Sequence, residues 1–231
     1  MGTEHKNYQK ALDETLRMTE ADGRVPTLLL HSCCAPCSSY VIEYLSEYFA
    51  ITVFYYNPNI YPPEEYEFRA KEQQRFIERF PAKHPVRFIE GAYESDRFYA
   101  LAKGLEDAPE RGERCHRCYR LRLSETAKLA QREGFEYFTT TLSISPMKDV
   151  SVLNAIGGEL AESCGVKYLF SDFKKKNGYL RSTQISKEYD MYRQDYCGCV
   201  YSLRERRSGK EQAKAAELTE PEGQAGLAGH G

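Results

Sequence analysis

The chain has 231 residues, of which 41% are hydrophobic and 29% charged, enough for one full-sized domain with its own core. A formal net charge of −2 argues against a protein that coats nucleic acid by charge alone and leaves only local basic runs at 111–122, 174–176 and 204–207. No apolar run approaches the roughly 20 residues that span a bilayer and the start is polar, so a cytoplasmic protein with reduced thiols and no membrane partner is expected.

Tyr8, Leu12 and Leu16 recur at helical spacing and predict a short first helix over Tyr8–Glu20. Strand-and-helix units follow. Thr27–His31 reads as a buried strand ending at a cysteine loop, Ser38–Phe49 as the next helix, and Ile51–Tyr56 as a β-branched and aromatic strand. The turn chemistry of Asn57-Pro58-Asn59 and Pro62-Pro63 stops that strand. Glu64–Phe80 is helical by pattern, and Val86–Ile89 is a third strand. Cys118–Glu133 predicts a helix closed by Gly134, and Tyr137–Leu142 a strand. Ser145 and Pro146 read as the N-cap and first residue of a helix running to Cys164, followed by a strand at Val166–Phe170 and a last helix at Thr183–Met191. Alternation of this kind means crossover units on a parallel sheet, an α/β Rossmann-like three-layer fold with sites at the carboxyl ends of its strands. The expected organisation is an N-terminal helical extension over 1–26, a single α/β domain over 27–207, and a disordered tail over 208–231 that lacks aromatics.

The eight cysteines are crowded rather than scattered. Cys33, Cys34 and Cys37 fall in the loop after the first strand, Cys115 and Cys118 form a Cys-x2-Cys pair, and Cys197-Gly198-Cys199 forms a tight turn. Cys164 stands alone and reads as a packing residue. In a reducing compartment such clustering points to metal or redox chemistry before disulfides. Two thiolates from each of the first two clusters suit either tetrahedral zinc or a [4Fe–4S] cube. A full α/β core needs no zinc staple and the ligands lie at strand ends, which favours iron–sulfur. A Cys-Gly-Cys pair closes a small strained ring if oxidised, the mark of a labile disulfide, although metal ligation or two separate thiols would also fit. His31 and His116 flank the clusters as candidate ligands or proton shuttles, and Asp149, Asp172 and Asp195 are candidate acids.

Five ordered motifs resemble the cobalamin-independent epoxyqueuosine reductases: Leu30–Cys37, Tyr56–Ile60, Cys115–Leu123, Thr140–Pro146 and Tyr192–Cys199. The resemblance runs from about Thr27 to Ser202. It implies the last step of queuosine formation, reduction of an epoxide on tRNA to an alkene with loss of water, on a fold similar to the nucleotide α-hydrolase or PP-loop group. It implies a [4Fe–4S] cluster on Cys33, Cys34, Cys115 and Cys118 and a redox-active pair of Cys197 with Cys199. An adjacent mononuclear iron would take Cys37 or a thiol of the Cys-Gly-Cys pair as a further ligand. The implied partners are tRNA carrying epoxyqueuosine in its anticodon loop and an unidentified electron donor, with His31 among the candidate proton donors. Two rival readings are an ATP-dependent tRNA-modifying enzyme of the PP-loop type and a zinc module that binds RNA. Ser32-Cys33-Cys34-Ala35-Pro36-Cys37 stands where the first would need a glycine-rich phosphate loop.

Overall fold

The computed structural model describes residues 7–208; the expected tail, apart from Ser208, lies outside the described residues. The elements run α1 (Tyr8–Ala21), β1 (Thr27–His31), α2 (Ala35–Leu45), β2 (Ala50–Tyr55), α3 (Pro63–Arg79), β3 (Val86–Glu90) and α4 (Ser95–Ala102). They continue with α5 (Glu113–Arg132), β4 (Tyr137–Thr140), a 3-10 turn (Thr141–Ile144), α6 (Val150–Cys164), β5 (Lys167–Tyr168) and α7 (Gly178–Glu188). A further helix occupies 200–208.

The sheet has the order β3-β2-β1-β4-β5, and every pairing is parallel. Successive residues of β1 point to opposite faces. Leu28 and Leu30 join Leu12 and Leu16 of α1, Val41, Ile42 and Leu45 of α2, and Phe76 of α3. Leu29 joins Tyr119 and Leu123 of α5, Phe138 of β4, and Leu153 and Ile156 of α6. Helices therefore cover both faces, giving the three-layer α/β architecture read from the alternation. The chain winds outward from β1 to β3, then returns to place β4 beside β1. That reversal opens a crevice beyond the carboxyl ends of β1 and β4, where ligands bind in open parallel sheets. Among the described residues no helix is long and apolar enough to cross a membrane.

Several boundaries differ from expectation, each for a local reason. α2 begins at Ala35 rather than Ser38, because Pro36 occupies its first turn and Cys34 takes the N-cap in extended conformation. α5 begins at Glu113, which puts both Cys115 and Cys118 inside its first turns. Ser145 does not cap α6; its hydroxyl accepts the Met147 N–H at 3.2 Å in a local turn. Asp149 caps instead, its carboxylate accepting from Ser151 and Val152 N–H, so Pro146 lies outside the helix. α7 starts at Gly178, where the backbone lies against the Tyr40 ring and the Phe173 carbonyl and leaves no room for a side chain. α4, with only Phe98 and Ala102 buried, has no counterpart in the sequence reading.

Leu12 is fully buried in the same core as β1 and α2. Leu12→Ala should therefore cost about 2–5 kcal/mol of unfolding free energy. The neighbouring change Met18→Ala, at a residue 56% exposed, should cost about 0.5 kcal/mol or less. Urea melts of the two variants check both, and equal midpoints would detach α1 from the domain.

Candidate active site

The end of β1 is fixed by hydrogen bonds before any thiol appears. Ser32 N–H donates to Phe54 O at 3.0 Å, and Asn57 Nδ2 donates to Ser32 O at 2.9 Å. The Ser32 and Ser38 hydroxyls both donate to Gln73 Oε1 of α3, at 2.7 and 2.9 Å. The loop leaves the strand there and enters α2 within two residues. Cys33, Cys34 and Cys37 consequently turn inward together, with all three sulfurs within 4.8 Å of one another. Cys33 Sγ lies 3.8 Å from Cys34 Sγ, which matches the edge of a tetrahedron with metal–sulfur bonds of about 2.3 Å. Hydrogen bonding with the Cys34 and Cys37 thiols, together with the nearby Arg122 charge, holds Cys33 well below the usual thiol range. Donating to Cys33 pushes Cys34 up to about 12 and Cys37 well above its ordinary value.

The second group lies on α5 and the Cys197-Gly198-Cys199 turn. Cys115 accepts the Arg111 N–H at 3.3 Å, while Cys118 and Cys199 pack together with Phe98, Ala102 and Tyr201. Burial pushes Cys118 up to about 12 and raises Cys115 and Cys199. Gly198 has φ +120°, and a side chain there would press on Ile60 and on Arg69 Nη1. A cavity of ≈ 450 Å³ connects the two groups, with Cys33, Cys37, Arg122, Lys148 and Cys197 in its wall.

Two buried arginines supply positive charge. Arg122 donates through Nη2 to Asn57 Oδ1 at 2.7 Å and through Nε to His31 Nε2 at 3.2 Å, and its Nη1 lies 3.9 Å from Cys118 Sγ. With Nε2 accepting, the His31 Nδ1–H donates to Thr140 Oγ1 at 2.8 Å. Burial, reinforced by Arg122, pushes His31 down to about 3, so the ring is neutral and orients Arg122. Arg69 pairs with Glu65 through Nε at 2.7 Å, yet its Nη1 and Nη2 are buried without partners, as is Gln73 Nε2. Arg69 interacts electrostatically with Cys34, and Gln194 Nε2 donates to Cys34 Sγ at 2.9 Å. A buried guanidinium with unmade hydrogen bonds calls for negative charge beside it. Soft sulfur donors, buried cations and unsatisfied N–H groups converge on one place. They fit an anionic metal–thiolate centre.

A family model described as "Epoxyqueuosine reductase QueH" matches residues 28–205. The chain belongs to the epoxyqueuosine reductase QueH family. It is similar to epoxyqueuosine reductase QueH of Streptococcus pyogenes serotype M1, 43% identical over 200 residues, covering 86% of this chain and 78% of the relative. It is also similar to the Staphylococcus epidermidis enzyme of that name, 44% identical over 200 residues, covering 85% and 84%. The Thermotoga maritima relative is 38% identical over 198 residues, covering 85% of this chain and 98% of its own length. The family places the chain among oxidoreductases.

Within this frame the expected site residues divide. Cys33 and Cys34 meet at once, and Cys37 joins them, because α2 starts early enough to place it one turn from Cys34. Cys115 and Cys118 are not members of that close group; Cys118 lies 3.9 Å from the Arg122 guanidinium, whose charge also acts on Cys33. Asp149 is spent on capping α6, Asp172 contacts Lys174 at 3.3 Å, and Asp195 lines the cavity paired with Arg206 at 3.3 Å. His116 has a buried, unpartnered Nε2 and is not in the thiol group. Cys164 packs against the α5–α6 core. The sequence reading missed Asn57, Arg69, Gln73, Arg122, Lys148 and Gln194. Arg122 carried a usable signal, four residues after Cys118 and so on the same helix face.

In metal-free protein the double change Arg69→Met with Glu65→Leu, which removes the buried ion pair whole, should leave the melting temperature unchanged or raise it, because the two unpartnered guanidinium NH2 groups go with it. After anaerobic loading with iron and sulfide the same change should speed metal loss to a chelator. Lower stability of the metal-free variant with unchanged metal retention would refute the electrostatic reading of Arg69.

Proposed function

We infer that this chain reduces epoxyqueuosine to queuosine in cytoplasmic tRNA, the final step of queuosine formation. One observation carries the reading. The segment that matches the family, 28–205, contains all seven cysteines grouped around the β1/β4 crevice.

Removing an epoxide oxygen as water takes two electrons and two protons. Two thiols contain both. One epoxide and two thiols give one alkene, one disulfide and one water, so atoms and electrons balance. Cys197 and Cys199 are proposed as that dithiol, restored by an external dithiol donor. Cys33, Cys34, Cys115 and Cys118 are proposed to hold a [4Fe–4S] cluster, with Cys37 beside the first two as a ligand for an adjacent iron. When bound, such a group supplies single-electron transfer and Lewis acidity toward oxygen.

The remaining work belongs to side chains already described. The wall of the cavity carries Met147, Tyr179 and Arg193 together with Cys33 and Cys197. Tyr179 is 45% exposed, with the Arg193 guanidinium 5.7 Å from its ring centre. An aromatic face backed by a cation suits stacking of an unpaired anticodon-loop base and contact with its phosphate. A base swung out of the loop would enter between this pair and Met147, bringing its substituent to the sulfurs. Arg122, buried in the cavity wall, supplies fixed positive charge that would stabilise charge developing on the departing oxygen.

The direct test is anaerobic turnover of epoxyqueuosine-containing tRNA by iron- and sulfide-loaded protein with a strong reductant, followed by nucleoside analysis. Wild-type protein should convert the epoxide, and Cys33→Ser and Cys197→Ser should each abolish turnover with ordinary donors. Persistence of the epoxide with loaded wild-type protein would sink the assignment.

A further inference from the structure

Lys148 was not singled out by its sequence, where Ser145-Pro146-Met147-Lys148-Asp149 reads as a loop and helix start. In the structure it is 7% exposed and lines the cavity. Its Nζ donates to Cys197 Sγ at 2.8 Å and lies 3.6 Å from Glu110 Oε1. Its backbone N–H donates to Ser145 O at 3.2 Å, which ties the lysine to the turn after β4. Burial works against an ammonium here, but the Cys197 sulfur, the Tyr119 hydroxyl and the Glu110 carboxylate more than offset it, so Lys148 stays charged.

The two thiols of the Cys-Gly-Cys turn are unequal in their surroundings. Cys197 is half-buried, opens on the cavity and receives the Lys148 ammonium. Cys199 is buried, packs against Phe98, Ala102 and Cys118, and receives only the Ser202 N–H at 3.4 Å. Gly198, with φ +120°, separates the two cysteines in a backbone conformation that favours glycine.

We propose that Lys148 is the positioning residue that makes Cys197, and not Cys199, the reactive sulfur of the pair. It directs Cys197 into the cavity and stabilises negative charge on that sulfur whenever the sulfur attacks or departs. The inference rests on the dithiol reading of the pair and deepens it.

The consequence is an order of events when a dithiol donor restores the oxidised pair. A donor thiolate attacks the cavity-facing Cys197 sulfur; the bond to Cys199 breaks, and Cys199 takes up a proton. The donor's second thiolate then attacks the donor sulfur of the mixed disulfide. Cys197 leaves with its electron pair beside the Lys148 ammonium and is protonated in turn. The donor ends as a disulfide and the pair as two thiols, with two electrons and two protons moved. A thiol that leaves with its charge stabilised leaves faster, so the ammonium assists this second step. Running in the other direction, the same contact makes Cys197 the attacking sulfur.

The test is the rate at which each thiol is alkylated. Reduced full-length protein, purified and loaded anaerobically, would be treated with limiting iodoacetamide at neutral pH, and Cys197 and Cys199 quantified separately by mass spectrometry. Cys197 should react about tenfold or more faster than Cys199, and Lys148→Met should slow Cys197 by about tenfold or more, the scale of a lost charge-assisted hydrogen bond. Lys148→Arg, which keeps the charge and a donor, should retain most of the preference. A variant that merely loosened the fold would speed Cys199 as well, so the ratio of the two rates reads Lys148 and not packing. Equal labelling of Cys197 in wild-type and Lys148→Met protein, or faster labelling of Cys199 in wild type, would overturn the proposal. Full turnover by Cys197→Ser would instead remove the dithiol reading while leaving the labelling ratio as it is, so the two failures are distinguishable.

Discussion

Arg122 is the side chain on which the geometry of the site depends. It reaches from the third turn of α5 to two segments that the chain delivers separately, the end of β1 at His31 and the turn after β2 at Asn57, and to Cys118 on its own helix. Its guanidinium is buried, so each of these contacts must be made or a charge is left bare in the interior. Asn57 passes the constraint on, since the amide that accepts from Arg122 also donates to the Ser32 carbonyl and thereby fixes the cysteine loop. Burial stops His31 from carrying a competing positive charge, which lets it accept from the arginine rather than repel it. A folded core alone would align the strands; this network sets where their ends point.

Around that arginine the thiols divide by charge and access. In the Cys33–Cys34–Cys37 group one sulfur is drawn toward the anionic form and the other two away from it, with all three sulfurs within 4.8 Å of one another. Buried donors on Arg69 and Gln73 without partners are what a thiolate-bound metal at this place would call for. Cys197 instead opens on solvent-connected space, where a partner dithiol can reach it. On the proposed reading, storage and exchange of charge would fall to different sulfurs of one crevice.

Much of the frame was legible in the sequence because it depends on local pattern. β1 and β2 are continuous apolar or β-branched runs, as strands buried on both faces must be, and the strand–helix alternation gave the parallel sheet. The cysteine loop fell at a strand end for the same reason. What escaped was set by competition or by burial. At α6 the Ser-Pro signal lost to Asp149, whose carboxylate satisfies two N–H groups where the Ser145 hydroxyl satisfies one. At α2 the start was placed three residues late, and with it went the direction of Cys37. With Pro36 in the first turn, Cys34 is the cap and Cys37 follows one turn on, on the same side. Arg69 left no trace, because an arginine in a charged amphipathic helix ordinarily faces water.

The crevice lies where open parallel α/β sheets that bind phosphate place a glycine-rich loop, and its residues suit thiols instead. A phosphate needs backbone N–H groups at a helix N-terminus and room for the backbone to approach. Here Pro36 removes one N–H from the first turn of α2, and three side chains fill the space that glycine would leave open. The electrostatic requirement is nevertheless the same, since thiolates and phosphates both seek the positive end of a helix. Arg69 and Arg122 make up in buried guanidinium charge what the proline and the missing glycines take away. On the proposed reading the place for an anion at this strand end is kept while the anion changes from a ligand's oxygen to the protein's own sulfur, which would make the crevice a redox site.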